Sequence, residues 1–471
     1  MRQLSVSASA ANSPINYAGS QSSDSEAVCA DCILFLQGPV GPFFSRIAKD
    51  FTKRGFKVFK INFNGGDKVF YQGEHATDYE GTPDQWADYL QTFVNKNAIS
   101  RIYAFGDCRY YHQVAKKIAS SSNIKFYVFE EGYVRPNYIT LESGGVNGHS
   151  RLMHGSALVG NTSPGNDDVV PAGRFCFLLP AFYSIIYYLA ASLYSSRFPD
   201  YVHHRPLGWL REGAIWIRSG YRKLTSRRGG ARVVQKLDVR WQNQYFLCPL
   251  QVHCDMQVIV HSPFESIDEF ICDVVTSFAK HAPKNHALVF KHHPLDRGYT
   301  NYRPLIDQLA RALHVDERVF YVHDVCLPSM LRNAVGAVMI NSTVGLSSLY
   351  HGTPVKVLGD AIYDRKGLTY KGPLANFWNT PGTVDEEAVD RFRSFLKRNN
   401  QLNGNLYKRC SNKNASGVVW SGKLAMEHSP DGSVDPLFER RRRSRFVLVK
   451  DVNTITTVKS GDRGEGLSKS A

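Results

Sequence analysis

Short apolar runs alternate with segments of helical spacing along most of this chain, and this alternation limits the possible folds more than any other feature. The first run, Cys32 to Leu36, is continuously apolar and is closed by Gly38 and Pro39, the pattern of a strand buried on both faces. Phe43 to Arg54 then has apolar residues at helical spacing, and Lys57 to Asn62 again has the pattern of a strand. Strands that alternate with helices predict parallel sheets made of βαβ units.

The alternation occurs in two series, which predicts two sheets. In the first series we predict helices at 82–96 and 111–120 and strands at 101–105 and 125–129. In the second series, which begins at Tyr245, we predict strands at 257–261, 287–291, 319–322, 337–340 and 355–358 and helices at 267–281, 302–313, 327–334 and 345–351. The predicted fold class is therefore α/β, with two Rossmann-like doubly wound domains that face a central cleft and a helical insertion between them.

A chain of 471 residues is longer than one hydrophobic core usually supports, which agrees with two domains. The predicted segments are a disordered leader (1–30), a first Rossmann-like domain (31–150), a helical and basic connector (151–240), a second Rossmann-like domain (241–382), a C-terminal helix (383–400) and a largely disordered basic tail (401–471).

The chain carries 57 Lys and Arg against 42 Asp and Glu, a net charge of +15 that favours anionic partners such as phospholipid, nucleic acid or sugar nucleotides. The connector places basic residues after an uncharged apolar stretch, Phe175 to Ser196, in which Pro180 and several tyrosines favour a buried or membrane-facing helix over a membrane span. The run Arg440 to Arg445 favours a solvated or lipid-facing tail, and no recognised nucleic-acid-binding module accompanies it.

Two adjacent carboxylates, Glu130 and Glu131, directly follow the predicted strand that ends at Phe129, with Arg135 nearby. Carboxylates this close perturb each other's pKa, which suits one of them to act as a general base or nucleophile. An exposed acidic turn is the alternative interpretation.

A third carboxylate, Asp107, follows the predicted strand that ends at Phe105, with Arg109 nearby. Ligands bind outside the carboxyl ends of the strands in doubly wound sheets, so this position also predicts a role in the cleft. Asp107 serves equally well as the N-cap of the helix that begins at Tyr111.

In the second domain, polar residues follow two predicted strands. Ser342 and Thr343 precede a helix and offer hydroxyl and backbone N–H donors, which predicts a phosphate site. Lys291, His292 and His293 can add donors to the same phosphate, and Pro294 ends their strand. Neighbouring histidines also bind metals, but no carboxylate or cysteine at ligand spacing completes a site, so phosphate is favoured over metal. Core packing of one histidine remains an alternative.

The glycine-rich loop from Gln37 to Phe44 opens the first domain and matches neither GxGxxG nor GxxxxGK[ST], so a dinucleotide or P-loop site is not predicted. Its close-approach residues, Gln37, Gly38 and Gly41, are predicted to line the acceptor side of the cleft together with Arg109 and Arg135.

Taken together, motifs along the chain resemble the capsule polysaccharide biosynthesis and export family, and within it the single-module lipid-linker β-Kdo transferases of ABC-transporter-dependent capsules. The resemblance runs in order from Ile33 to Asn400, and an ordered set of motifs is far more specific than any one of them. The motifs are Gln37 to Phe44, Asn62 to Asp67, Gly106 to Arg109, Glu130 to Pro136, His203 to Pro206, His292 to Pro294 and Asn341 to Pro354.

The resemblance implies a GT-B enzyme that takes Kdo, an acidic ulosonic sugar, from CMP-β-Kdo and places it with retained configuration on a phosphatidylglycerol-type or Kdo-primed lipid. It implies that the catalytic residues are Glu130, Glu131 and Asp107, and that the residues on the nucleotide are His293, Pro294, Ser342 and Thr343. Neither a cofactor nor a metal is expected, since protein donors can stabilise the departing CMP. The expected location is the inner face of the cytoplasmic membrane, with the capsule biosynthesis and export complex as partner.

Two alternatives to this function stay open at the level of the sequence. One is a GT-B transferase that uses another CMP-sugar or a UDP-sugar. The other is a non-catalytic capsule assembly or export partner that retains the fold. A nucleic-acid-binding role is not expected.

Overall fold

The computed structural model describes residues 31–71, 73–154, 178–202, 209–411 and 414–419. The predicted leader (1–30), the motif His203 to Pro206 and the run Arg440 to Arg445 lie outside these residues.

Twelve strands and thirteen α-helices are found in the described residues. The strands are β1 (Cys32–Phe35), β2 (Lys57–Asn62), β3 (His75–Asp78), β4 (Ile99–Phe105), β5 (Lys125–Glu131), β6 (Tyr138–Ser143), β7 (Tyr245–Pro249), β8 (Ala287–Lys291), β9 (Val319–Val322), β10 (Gly336–Met339), β11 (Val355–Val357) and β12 (Gln401–Asn403). The helices are α1 (Phe43–Lys53), α2 (Gly65–Phe70), α3 (Trp86–Lys96), α4 (Tyr110–Ser121), α5 (Leu178–Leu193), α6 (Trp209–Arg240), α7 (Met256–Val260), α8 (Ile267–His281), α9 (Arg303–Ala312), α10 (Leu327–Arg332), α11 (Val344–Tyr350), α12 (Leu374–Phe377) and α13 (Glu386–Asn399).

The strands form two sheets, and each sheet defines one half of the protein. The first half contains the seven-stranded sheet β12-β6-β5-β4-β1-β2-β3, in which β6 runs antiparallel to its two neighbours, β5 and β12, and all other strand pairs are parallel. The second half contains the five-stranded parallel sheet β11-β10-β7-β8-β9. This arrangement confirms the predicted α/β fold class.

Both sheets have the same internal order. Counted from the first strand of each half, the parallel strands lie in the order third, second, first, fourth, fifth. The chain therefore reverses its direction of progress between β1 and β4 in the first sheet and between β7 and β10 in the second. Ligands bind at such reversal points in doubly wound sheets, because the loops that leave the two central strands diverge and open a crevice.

The central strands are buried on both faces, as their continuous apolar sequences predict. All four residues of β1 and all five of β8 are buried. Helix α1 covers the first sheet with Phe43, Ile47 and Phe51, none of which is more than 1 % exposed. Burial of a side chain of this size stabilises the fold by about 1.5–3 kcal/mol, so these faces fix the frame from which the site loops extend.

The strand predicted at 257–261 is wrong, because α7 covers most of that segment and the first strand of the second half is β7. The run of β-branched residues favours a strand locally. Asp255 overrides this preference by capping the helix, its side chain accepting a hydrogen bond of 3.0 Å from the N–H of Gln257. Val258 then packs into the core.

The boundary predicted between the helix at 383–400 and a disordered tail from 401 is also wrong at its start. Strand β12 follows α13 directly and pairs antiparallel with β6 of the first sheet. Leu402, Leu406 and Val418 are buried in the core of the first half. The chain therefore returns to the first half through residues 401–419, since those apolar side chains are covered there.

The connector contributes α5 and α6. Four large apolar side chains of α5 are 44–72 % exposed and recur at helical spacing: Phe182, Ile185, Leu189 and Leu193. On α6, Ile217, Tyr221 and Leu224 form a second exposed apolar stripe. None of the helices in the described residues has the length and apolar character needed to cross a membrane.

Candidate functional site

A cavity of about 330 Å³ lies where the loops after the central strands of the two sheets meet. The first half contributes residues that follow β4 and β5, and the second half contributes residues that follow β7, β8 and β10. The lining residues are Phe105, Gly106, Asp107, Cys108, Arg109, Glu130, Glu131, Arg135, Asn147, Gln251, Val252, Cys254, Asp255, Met256, Gln257, His293, Asn341, Ser342 and Thr343. The structure thus brings eight predicted site residues together: Asp107, Arg109, Glu130, Glu131, Arg135, His293, Ser342 and Thr343.

Asp107 is a buried carboxylate held in place by two basic side chains. Its Oδ2 lies 2.8 Å from Nδ1 of His149 and 3.7 Å from Nζ of Lys116. Burial alone would raise the pKa of Asp107, but the hydrogen bond from His149 and the charge of Lys116 hold that pKa well below its usual range. Asp107 is therefore ionised throughout the neutral range. It does not cap α4, whose N-cap is Arg109 without a side-chain hydrogen bond.

Glu130 has the opposite character. Withdrawal from water raises its pKa to about 7, and the neighbouring charge of Glu131 adds to this effect. A hydrogen bond of 3.0 Å from the backbone N–H of Glu131 to Glu130 Oε1 acts in the other direction. Glu130 therefore exchanges a proton near neutral pH, as a general acid or base requires.

Glu131 is bound by two partners on its two oxygens. Arg135 donates to Oε2 at 2.7 Å, and the hydroxyl of Tyr407 donates to Oε1 at 2.9 Å. Tyr407 belongs to the returning segment 401–419, so the sequence analysis missed it. The three carboxylates thus differ: one is fixed as an anion, one titrates near neutral pH and one is anchored by an arginine and a tyrosine.

His293 faces the cavity from the second half. Its Nδ1 accepts a hydrogen bond of 3.2 Å from the backbone N–H of Leu295, which assigns the proton of the neutral ring to Nε2. The imidazole can thus donate from Nε2 to an anionic group in the cleft.

Ser342 and Thr343 line the cavity from the same half of the protein as His293. Ser342 Oγ accepts from the N–H of Val344 at 3.2 Å, and Thr343 is the N-cap of α11 without a side-chain capping bond. Helix α11 has only seven residues, so the local hydroxyl and N–H donors matter more here than the helix dipole.

Three predicted nucleotide-site residues do not line the cavity. Lys291 is buried, its Nζ lies 3.4 Å from the carbonyl of His292, and burial lowers the pKa of its ammonium group. His292 is buried against Tyr321, whose hydroxyl lies 2.6 Å from Nδ1, which fits the alternative of a core histidine. Pro294 is exposed beside the cavity.

The predicted acceptor loop also lies elsewhere. Gln37 is buried and donates to the hydroxyls of Tyr187 at 2.9 Å and Tyr201 at 2.7 Å. A Cβ on Gly41 would lie 2.6 Å from the ring of Tyr183, and Gly41 has a positive φ of 103°. Gly38 is similarly crowded by Phe44. The glycines allow close packing of the loop beneath α5, and the loop does not line the cavity between the two sheets. A place for this loop on the acceptor side stays a prediction.

The loop after β7 contributes cavity residues that the sequence analysis missed. Asn341 donates to the carbonyls of Gln257 at 2.8 Å and His261 at 3.1 Å, and its Oδ1 accepts from Gln251 at 3.0 Å. This network ties the loop after β7 to the loop after β10. Assigning Tyr245–Pro249 as a strand would have placed Gln251 at a strand end and identified it.

Comparison with known proteins places the chain among capsule proteins. A family model described as capsule polysaccharide biosynthesis protein matches residues 100–407. The capsule polysaccharide export protein KpsS of Escherichia coli is 38 % identical over 382 residues, which are 79 % of this chain and 96 % of that protein. The capsule polysaccharide modification protein LipB of Neisseria meningitidis serogroup A is 38 % identical over 396 residues, 82 % of this chain and 94 % of that protein.

Among solved structures, the KpsC β-Kdo 2,7-transferase of Thermosulfurimonas dismutans covers 77 % of this chain and 90 % of its own, at 14 % identity. Its TM-score of 0.38 is too low to support a conclusion about fold or activity. The family match and the two full-length relatives support a conclusion without it: the chain belongs to the capsule polysaccharide biosynthesis family.

Proposed function

We propose that this protein is a retaining glycosyltransferase that transfers β-Kdo from CMP-Kdo to a phosphatidylglycerol-type or Kdo-primed lipid during capsule biosynthesis and export. The observation that carries the proposal is the cavity between the two sheets. One wall holds three carboxylates, of which Asp107 has a lowered and Glu130 a raised pKa, and the other wall holds a histidine and two hydroxyls. Family membership supports the capsule context, and the motif resemblance supports the choice of donor.

The carboxylate wall supplies the proton transfer. An acceptor hydroxyl is a weak nucleophile, and removal of its proton in the transition state accelerates attack by roughly 10²–10⁴-fold. Glu130, with a pKa of about 7, is the group suited to take that proton. Retention requires either two successive inversions or a front-face reaction. In the two-step route a carboxylate, Asp107 or Glu131, attacks the anomeric carbon first.

The opposite wall stabilises the leaving group. The phosphate of CMP gains negative charge as the glycosidic bond breaks, and donors aimed at it lower the barrier. We assign this role to Nε2 of His293 and to the hydroxyls of Ser342 and Thr343. These donors perform the task that a metal ion performs in many other transferases, so departure of CMP requires none.

The surface of the connector supports the proposal that the protein binds to an anionic membrane. The exposed apolar stripe of α5 and the stripe Ile217, Tyr221, Leu224 of α6 offer surfaces for the acyl boundary. Helix α6 also carries many basic side chains, which attract anionic headgroups. We propose that these two helices hold the enzyme at the inner face of the cytoplasmic membrane, where a lipid acceptor lies.

The experiment that tests the function measures CMP release from CMP-Kdo, generated in situ, with a fluorescent phosphatidylglycerol analogue as acceptor. Wild type is compared with Glu130→Gln and His293→Ala. Acceptor-dependent turnover that both variants lose, with a β-linked Kdo product identified by NMR, is the expected result. Glu387→Gln, on the exposed face of α13, is the matched control for loss of a carboxylate.

The other outcomes separate the alternatives. CMP binding without turnover would point to another sugar or another acceptor. Absence of CMP binding would instead favour a non-catalytic assembly or export partner.

Membrane attachment has a separate test. Wild type should float with vesicles that contain phosphatidylglycerol and much less with neutral phosphatidylcholine vesicles. Ile185→Ser combined with Leu189→Ser should reduce flotation, while Tyr350→Ser, at an exposed aromatic residue outside the connector, should not. Equal flotation of the double variant and wild type would contradict the proposal that α5 attaches the protein to the membrane.

A further inference from the structure

Three side chains able to bind a metal converge beside the cavity. They are Cys108, which follows β4, His149 in the 3₁₀ turn after β6, and His261, which follows α7. One donor atom from each lies within 4.8 Å of the other two. Two of the three come from the first half of the protein and one from the second. This combination of one thiolate and two imidazoles is a ligand set that Zn²⁺ favours.

We propose that Cys108, His149 and His261 form a zinc site that joins the two halves of the protein. The site takes Zn²⁺ or a similar borderline ion, and its fourth ligand is a water molecule or an oxygen of a ligand in the cleft, because Cys108 lines the cavity. Binding of the ion displaces the thiol proton of Cys108 to solvent.

The separation between the donors fits a tetrahedral ion. Cys108 Sγ lies 3.6 Å from Nε2 of His261. Zinc bond lengths of about 2.3 Å to sulfur and about 2.0 Å to nitrogen place two tetrahedral ligands about 3.5 Å apart. The rings of His149 and His261 meet edge to face with centroids 4.4 Å apart. His149 is the partly exposed member of the set, so rotation of its ring can bring its donor atom, which lies within 4.8 Å of the other two, to the tetrahedral separation.

Asp107 gives His149 the orientation of a zinc ligand. Its carboxylate lies 2.8 Å from Nδ1 of His149, which leaves Nε2 of that ring for the metal. Histidine ligands of zinc commonly donate their other N–H to a carboxylate in this way. The charges of the Asp107 carboxylate and the Cys108 thiolate together balance a divalent ion. Lys116 also contacts that carboxylate, at 3.7 Å.

The backbone around the cluster holds His261 against the turn that carries His149. A Cβ on Gly148 would lie 2.3 Å from Nδ1 of His261, and a Cβ on Gly145 would lie 2.9 Å from Oδ2 of Asp107. The carbonyl of His261 also accepts a hydrogen bond of 2.7 Å from the N–H of Asp360. A fixed His261 lowers the entropic cost of binding an ion, so only the ring of His149 has to adjust.

This inference departs from the expectation that no metal is bound. That expectation considered the adjacent His292 and His293, which contribute nothing to this cluster. The ion would act as a link between the halves, so the assignment of CMP departure to His293, Ser342 and Thr343 does not depend on it.

The test uses the full chain after removal of metal by a chelator, without donor or acceptor. Titration with Zn²⁺ should saturate at one equivalent, and Co²⁺ should give tetrahedral d–d absorption together with a thiolate-to-cobalt charge-transfer band. Cys108→Ser should abolish that band. His149→Gln and His261→Gln should each weaken zinc affinity, and Asp107→Asn should weaken it roughly 10- to 100-fold. Cys254→Ser, at a cysteine of the same cavity outside the cluster, is the matched control.

Several results would overturn the proposal. A charge-transfer band that survives in Cys108→Ser and disappears in Cys254→Ser would show that Cys254, and not Cys108, binds the ion. If wild type binds no Zn²⁺, the protein has no zinc site. Should circular dichroism show that Cys108→Ser is unfolded, alkylation of wild type decides the question. Zn²⁺ must slow modification of Cys108 and leave that of Cys254 unchanged. His261 is the ligand that the second half contributes. If His261→Gln binds zinc as tightly as wild type, the ion does not join the two halves. A failed transferase assay leaves each of these results intact.

Discussion

The two walls of the cavity use different means to present polar groups. On the first wall, the neighbours of two carboxylates shift their pKa in opposite directions, downwards for Asp107 and upwards for Glu130, while Glu131 is held by Arg135. On the second wall, the groups beside His293 are neutral hydroxyls whose local contacts are with the backbone.

This difference separates two tasks that a transferase must perform. Proton transfer needs a pKa close to the working pH, and burial next to a second carboxylate produces one. Stabilisation of a departing phosphate needs fixed donors, and bonds to the backbone fix them. The comparison therefore predicts that changes on the first wall alter rate and pH dependence, and that changes on the second wall alter nucleotide affinity as well as rate.

The largest expected effect is that of Glu130→Gln. Loss of the base should lower kcat by roughly 10²–10⁴-fold with little change in KM for the donor, since the amide keeps the shape of the side chain. The wild-type rate should rise with pH through about 7, where Glu130 becomes ionised, and the residual rate of the variant should lack that step. Steady-state kinetics at several pH values measure both quantities. An unchanged pH profile would assign the proton transfer to another group.

Glu142 tests whether every carboxyl with a raised pKa affects the reaction, or only the one that lines the cavity. It is 7 % exposed and does not line the cavity, and burial raises its pKa to about 7 despite hydrogen bonds from Ser150 and Asn400. The folded state holds this proton more tightly than the unfolded chain, so the stabilisation is present below about pH 4.5 and is lost as the pH rises through 7. The loss is on the order of 3 kcal/mol.

Glu142→Gln should therefore reduce the fall in unfolding free energy between pH 5 and pH 7.5. Urea titrations at the two pH values measure that fall. The step near pH 7 in the rate of transfer should remain in this variant, in contrast to Glu130→Gln. A loss of the kinetic step in Glu142→Gln would mean that the rate reports stability rather than catalysis.

His293→Ala should act on the second wall only. Removal of a donor to a charged phosphate costs about 1.5–3 kcal/mol, so CMP should bind roughly 10- to 100-fold more weakly. Isothermal titration calorimetry measures the affinity, with His351→Ala as the control outside the cavity. Unchanged CMP affinity in His293→Ala would show that the nucleotide lies elsewhere.

The smallest effect is expected for Arg135→Met. The ion pair with Glu131 is 2.7 Å long, but the arginine side chain is 43 % exposed, and pairs this open contribute about 0.2–1 kcal/mol. Thermal unfolding should change by that amount or less, and less still at high salt. A much larger loss would mean that Arg135 organises the first wall, which the hydroxyl of Tyr407 otherwise anchors.

The sequence was sufficient to predict the two sheets and the carboxylate wall. The continuous apolar strands β1, β4 and β5 are legible because both of their faces are buried. Once they are assigned as parallel neighbours, Asp107 and Glu130 must lie near each other, since the carboxyl ends of parallel strands share one edge of a sheet.

Contacts between distant segments were not predictable in this way. Tyr407 reaches Glu131 only because β12 returns to the first sheet, and no local pattern signals that return. His149 and His261 are 112 positions apart in the sequence, and their proximity depends on how the two halves meet. The packing of the loop at Gln37 was not predictable for a related reason: it contacts tyrosines of a helix that lies more than 130 residues later.

The return of the chain at β12 also limits how the cleft can open. Between the helices and strands that the structure describes from 178 to 419, the polypeptide passes from one half to the other at two places: between α5, which packs on the first half, and α6, and again where α13 runs into β12. If the halves were joined at one point, one half could rotate in every direction relative to the other. Because they are joined at two points, rotation is limited to the axis that passes through both. Entry of a donor and exit of CMP are therefore expected to follow one rotational degree of freedom, whose stiffness is set at the crossings and not by the residues that contact the substrates.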